Sequence, residues 1–153
     1  MKNRRYQAVP TDLRQMLSPY GLDFFEYALF LEILISPHSN MVGVFVCPKY
    51  YLCADLSWNP EDTGTRLDHL EELQLVYRDD SKGLIMIDPT HGLNPIENYR
   101  TSQQVDVAVK VLHHLPHSKI YRPLAKHLVS LNKPLIKPVI KKLNSMCGLR
   151  DSE

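Results

Sequence analysis

Between Ser36 and Asp88 the spacing of apolar positions changes repeatedly, and each change marks a boundary between elements. Val44, Phe45 and Val46 form a β-rich run ended by Pro48, which cannot donate to a ladder but suits the first turn of a helix. A helix is predicted from about Pro48 to Leu56. It meets Ser57-Trp58-Asn59-Pro60, where Ser57 or Asn59 can cap and Pro60 can open a second helix. That helix, roughly Pro60 to Gln74, places Leu67, Leu70 and Leu73 on one stripe with Thr63 beside them, so it buries one face and offers the other. Leu75-Val76-Tyr77 and Leu84 to Ile87 then flank Asp79-Asp80-Ser81-Lys82-Gly83, the pattern of a hairpin whose loop has glycine near its end.

A strand, two helices joined by a tight turn, and a hairpin predict a winged helix-turn-helix. The rest of the chain surrounds it with helices, so the expected fold is α+β and mostly helical, with additional C-terminal helices. Tyr6 to Val9 can form an edge strand before Pro10, and Thr11 to Arg14 a cap and brief helix before Ser18-Pro19-Tyr20-Gly21. Asp23 to Ile35 is apolar on nearly every side, which predicts a central, buried helix that serves as scaffold. Asp88 to Arg100, with Pro89, Gly92 and Pro95, is expected to be a linker. Beyond it, Val105, Ala108, Leu112 and Leu115 stripe a helix ended by Pro116. Ser118 can cap the next helix, through Leu124, Leu128 and Leu131, with Pro123 tolerated near its first turn. Lys133 to Met146 gathers Leu135, Ile136, Val139, Ile140 and Leu143, with Pro138 distorting its start. The expected organisation is a winged-helix domain with an N-terminal arm over 1–90, a linker over 91–100, and a helical extension over 101–153 packing on or beside it.

Composition changes this picture in one respect. The 153 residues, 44% of them hydrophobic, suffice for one well-buried domain, and the formal net charge is only +1. Yet residues 1–100 hold 9 basic and 14 acidic side chains, net −5, whereas residues 101–153 hold 9 and 3, net +6. The second half is the one that attracts phosphate. Cys47, Cys53 and Cys147 are odd in number and wrongly spaced for a zinc knuckle, as expected of reduced, structural thiols in a cytoplasmic protein. Phe24 to Ile35, the most apolar segment, is broken by Glu26 and Glu32, so neither a signal peptide nor a membrane span fits. His113, His114 and His117 invite a metal, but Pro116 interrupts their helix. Nucleophile, phosphate-loop and zinc-protease motifs are lacking, so the chain is expected to be no enzyme and to need no cofactor or metal.

Candidate DNA contacts follow from the helix-turn-helix, whose second helix would present polar side chains to base edges. Asn59, Thr65, Arg66 and His69 are candidates there, with Lys49 on the preceding helix. For Arg66 a salt bridge to Asp62 competes. Arg78 and Lys82 on the wing can follow the minor groove or backbone, or simply be solvated beside Asp79 and Asp80. Arg4 and Arg5 in the basic N-terminus are either a DNA-contacting arm or a disordered start. Lys137 and Lys141, with Lys133 and Lys142, form the densest basic group, which is a nucleic-acid contact, a wet helix face, or the polar side of a helix that docks on a partner. Against groove reading, the outward face of the second helix is acidic: Glu61, Asp68 and Glu72 accompany Thr65 there.

Ser36, Pro37, His38, Asn40, Gly43, Phe45 and Pro48, followed by Leu67, Leu70, Leu75, Val76, Tyr77 and Asp79, resemble the winged-helix N-terminal domain of phage and plasmid replication initiators, the DnaD-like replisome organisers. VAVKVLHHLPHSKIY continues the likeness, which covers roughly Arg4 to Tyr121. Gln74 stands where that family usually has glycine. The resemblance implies a cytoplasmic DNA-binding protein of phage, prophage or plasmid replication. Double-stranded DNA, a replicative helicase or its loader, and a second copy as homodimer are the implied partners, with no membrane. A protein-interaction module without DNA contact, favoured by the acidic helix, and a transcriptional regulator are the alternatives the same elements allow.

Overall fold

Strand β3 (Leu84–Ile87) lies between β1 (Val44–Val46) and β2 (Val76–Asp79), antiparallel to both. In this computed structural model, which describes residues 8–148, helices cover both faces of that sheet, and the fold is α+β and mostly helical. Side chains alternate along a strand, and the register makes the consequence explicit. Val44 sits opposite Met86, which sits opposite Tyr77, and this row faces one core; Phe45 opposite Ile85 faces the other. All four residues of β3 are buried, as a strand covered on both faces must be.

The first layer holds α1 (Leu13–Leu17), α2 (Phe24–Leu34), α3 (Lys49–Leu56) and α4 (Pro60–Glu72). Leu29, Phe30, Ile33, Leu52, Leu67 and Leu70 close on Phe45 and Ile85. The second layer holds α5 (Ser102–His113), α6 (Tyr121–Ser130) and α7 (Lys137–Met146), whose Leu112, Tyr121, Leu124, Leu128, Val139 and Leu143 close on Val44 and Met86. Local chemistry explains the helix starts. Asp23 and Glu26 form a reciprocal capping box at α2, Thr101 and Gln104 another at α5, and Asn59 accepts from the Glu61 N–H at α4.

The strand, both helices of the turn and the hairpin occupy the segments predicted for them. Several expectations need correction. The helix over Asp23 to Ile35 is not buried all round: Phe24 is 78% and Phe25 49% exposed, while Glu26 is buried. Ala8 and Val9 are not in a strand, and the remainder of that proposed strand lies outside the described residues, as do Arg4 and Arg5. Asp88 to Arg100 is packed rather than a free linker. It forms 3-10 turns at Pro89–His91 and Pro95–Asn98, and buries Ile96 and Tyr99 in the second core. Ser118 does not cap α6. Its hydroxyl accepts from Ile120 N–H and donates to Asp79 at 2.5 Å, tying the α5–α6 loop to the hairpin. Pro134–Ile136 is a 3-10 turn and α7 starts only at Lys137, with Pro138 in its first turn where its missing N–H costs nothing.

The segment from Ser36 to Pro48 positions β1. Asn40 Oδ1 accepts from the N–H groups of Val42 and Gly43, and its Nδ2 donates to Val44 O at 2.7 Å. Gly43 has φ +77°, and a Cβ there would meet Asn94 Nδ2 at 2.5 Å, so glycine is required. Asn94 Nδ2 itself donates to Val42 O, and Tyr99 Oη to Met41 O. At the end of α4, Gln74 takes φ +59°, the left-handed conformation that glycine adopts without strain.

Candidate nucleic-acid interface

Among the described residues, α3, α4 and the hairpin supply fewer free cations than their sequence suggests. Arg66 is inclined toward α2, not toward its helical neighbour Asp62. Its Nη1 donates to both oxygens of Asp23, at 3.1 and 3.0 Å, and its guanidinium lies 4.6 Å from the Phe25 ring centroid. His69, one turn further on, bonds the carboxylate of Glu26, and that bond is the chief reason its pKa is raised above 6.5. Asn59 is occupied with its cap, and the Thr65 hydroxyl donates to Glu61 O.

Arg78 is the largest departure from expectation. On β2 it shares a sheet face with Ile85, so it points back at α4 instead of out along the hairpin. Its Nη2 donates to Asp68 at 2.5 Å and Glu71 at 3.0 Å, with Asp80 at 3.5 Å from Nη1, and its side chain is only 10% exposed. Burial opposes its charge, but Glu71, Asp80 and Asp68 outweigh burial and raise its pKa. A guanidinium held by three carboxylates offers nothing to phosphate. Of the helix-turn-helix and wing candidates, Lys49 and Lys82 remain without a carboxylate partner among the described residues; Lys82 is exposed, and Lys49 leans over the Tyr50 ring.

The second layer is different. Residues 101–148 carry eight lysines and arginines against one carboxylate, Asp106, whereas residues 8–100 carry six against fourteen. Lys133 donates to the backbone oxygen of Glu97. None of the eight pairs with a carboxylate among the described residues. Arg122 and Lys126 stand one turn apart on α6, Lys137 and Lys141 one turn apart on α7, all exposed, and the two helices pack against each other. Arg122 and Lys126 escaped the sequence reading, because only α7 has lysines dense enough to stand out; their i, i+4 spacing was the available signal.

A crevice lined by Ile33, Asn40, Phe45 and Asn94 has a volume of about 20 Å³, room for a water molecule and not for a cofactor. His113 and His114 are exposed with rings 5.6 Å apart, and among the described residues no three potential ligands converge on a metal position. The three cysteines are buried and free, and burial pushes the Cys47 thiol up to about 11, far from a reactive thiolate. No helix among the described residues is long and apolar enough to cross a membrane. No protein-family model matches this chain, and no curated protein or solved structure matches it significantly.

Proposed function

We propose that this chain is a non-enzymatic DNA-binding protein of phage, prophage or plasmid replication, built on a winged helix-turn-helix but contacting duplex DNA mainly through α5–α7. The observation that carries the reading is the distribution of unpaired cations. Among the described residues, Lys110, Lys119, Arg122, Lys126, Lys137, Lys141 and Lys142 lie in one layer with a single carboxylate and pair with none, whereas Arg66, His69 and Arg78 are each held by acids. Most affinity for duplex DNA comes from phosphate neutralisation, and each nearby carboxylate opposes it. The β1-α3-α4-β2-β3 order and the β1-β3-β2 sheet support the winged-helix assignment. Gln74 supports the initiator likeness, since it adopts the conformation for which that family's glycine is suited.

Fluorescence anisotropy of labelled duplex at increasing salt tests the reading. About four neutralised phosphates give a slope near −3.6 in log K against log salt, roughly a hundredfold loss between 50 and 200 mM. Lys137→Glu with Lys141→Glu should weaken binding at least tenfold and flatten the slope. No binding at low salt, or binding indifferent to that double change, would refute the assignment.

A second reading is favoured by a separate observation: Glu61, Asp68 and Glu72 are exposed along α4. That face suits a basic protein partner better than a groove, and it can serve one whether or not α5–α7 hold DNA.

A further inference from the structure

The open end of the first layer carries two phenylalanines that stabilise neither core. Phe24 and Phe25 belong to neither buried cluster, yet they begin a helix whose later turns are central to one. Their rings meet edge to face at 5.8 Å, and Phe25 meets Trp58, in the α3–α4 turn, in the same way at 5.8 Å. Arg66 stacks on Phe25 and is fixed by Asp23. The rings therefore form a pre-arranged, connected surface, and aromatic side chains beside a fixed arginine are the composition enriched where proteins bind proteins.

The rim specifies the occupant. Asp23 is held by Arg66, but Glu61 and Asp62, which follow Trp58 in the first turn of α4, are both exposed and supply the negative charge. Carboxylates there oppose phosphate, which argues against nucleic acid or an anionic lipid surface. A cationic segment fits on both counts. Its ammonium or guanidinium groups meet Glu61 and Asp62, and its apolar side chains cover Phe24. We infer that Phe24, Phe25 and Trp58 form a docking surface for a lysine- or arginine-rich amphipathic segment of a partner protein. The surface lies in the layer on the other side of the sheet from α5–α7, so occupation of one leaves the other available.

Trp58 is the only tryptophan in the chain and reports docking directly. The full chain is titrated with a synthetic amphipathic helix of lysine and leucine, free of aromatic residues, while Trp58 emission is followed. A saturable shift is expected, weakened about tenfold by Phe24→Ala and, at low salt, by Glu61→Gln with Asp62→Asn. These side chains are exposed, so far-UV circular dichroism should match the parent; Lys137→Glu with Lys141→Glu should leave the titration unchanged. No saturable shift, or one that every variant shares equally, overturns the inference. So does a concentration-dependent shift without peptide that Phe24→Ala removes, which would assign the surface to a second copy of this chain. A duplex oligonucleotide producing the same Phe24-dependent shift would overturn it in favour of nucleic acid. Loss or retention of DNA binding in the lysine variant decides the earlier proposal and leaves this one untouched.

Discussion

The two helical layers pack on opposite faces of one sheet, and they treat their charges in opposite ways. In the first, α4 lies beside α2 and the hairpin, so Arg66, His69 and Arg78 each reach a carboxylate from another element. In the second, α6 and α7 present Arg122, Lys126, Lys137 and Lys141, and among the described residues no acid lies near enough to pair with them. Composition alone already separates the halves, but pairing sharpens the contrast. A cation held by acids is locally neutral, and an unpaired one keeps its reach of about 8–10 Å at ordinary salt. Among the described residues, the first layer thus has its cations largely neutralised by partners, while the layer behind the sheet keeps its cations unpaired.

The sheet is where that comparison can be broken. Ile85 faces the first core and Met86 the second, both essentially fully buried. Ile85→Ala and Met86→Ala should each cost about 2–5 kcal/mol. If the layers form one cooperative unit, thermal melts followed by Trp58 fluorescence and by far-UV circular dichroism will coincide in both variants. Separate transitions in Met86→Ala would mean that the second layer comes away while the first persists.

Arg78→Ala sharpens the contrast in charge. Removing the guanidinium leaves Asp68, Glu71 and Asp80 facing one another, and stability should fall by about 1–3 kcal/mol in chemical denaturation. DNA affinity should change by less than about twofold, unlike the effect of reversing Lys137 and Lys141.

The His69 and Glu26 pair gives a pH signature confined to the first layer. Its folded pKa is raised above 6.5 by the Glu26 hydrogen bond, so protonation favours the folded state. That contribution is complete below pH 6.5 and fades as pH rises through the raised value. Glu26→Gln keeps a capping side chain but removes the charge. The melting-temperature difference between parent and variant should therefore be widest below pH 6.5 and narrow above it, and a difference constant with pH would show that the pair is not ionic.

The smallest expected effect is at Gln74. Gln74→Gly relieves a left-handed residue while loosening the unfolded chain, for a net gain of about 0.5–1 kcal/mol, or roughly 2 °C in Tm. No gain would mean that the Gln74 side chain contributes something glycine cannot.

Much of the local architecture was legible because it is written in short-range chemistry. Pro48 and Pro60 mark helix starts, Asn59 caps α4, and the leucine stripe of α4 names its buried face. The acidic outward side of α4 followed from the same periodicity. Errors arose where distant residues compete for a group. Arg66 has Asp62 one turn away in sequence, but takes Asp23, 43 residues back, because α2 packs beside α4 and brings Phe25 under the guanidinium. Ser118 was a suitable cap, yet it serves Asp79. Asp88 to Arg100 has the prolines and glycine of a linker, but Asn94, Ile96 and Tyr99 anchor it under the segment that enters β1.

By itself the sequence determined the order and type of the main elements, the Asn59 cap, and the division into an acidic and a basic half, since each depends on residues within a few positions of one another. Only the tertiary structure decided that β3 is covered on both faces, that Arg78 turns inward to three acids, and that Phe24 stays outside. Those outcomes depend on strand register and on which helices lie side by side, and long-range packing, not local preference, chooses among the partners available.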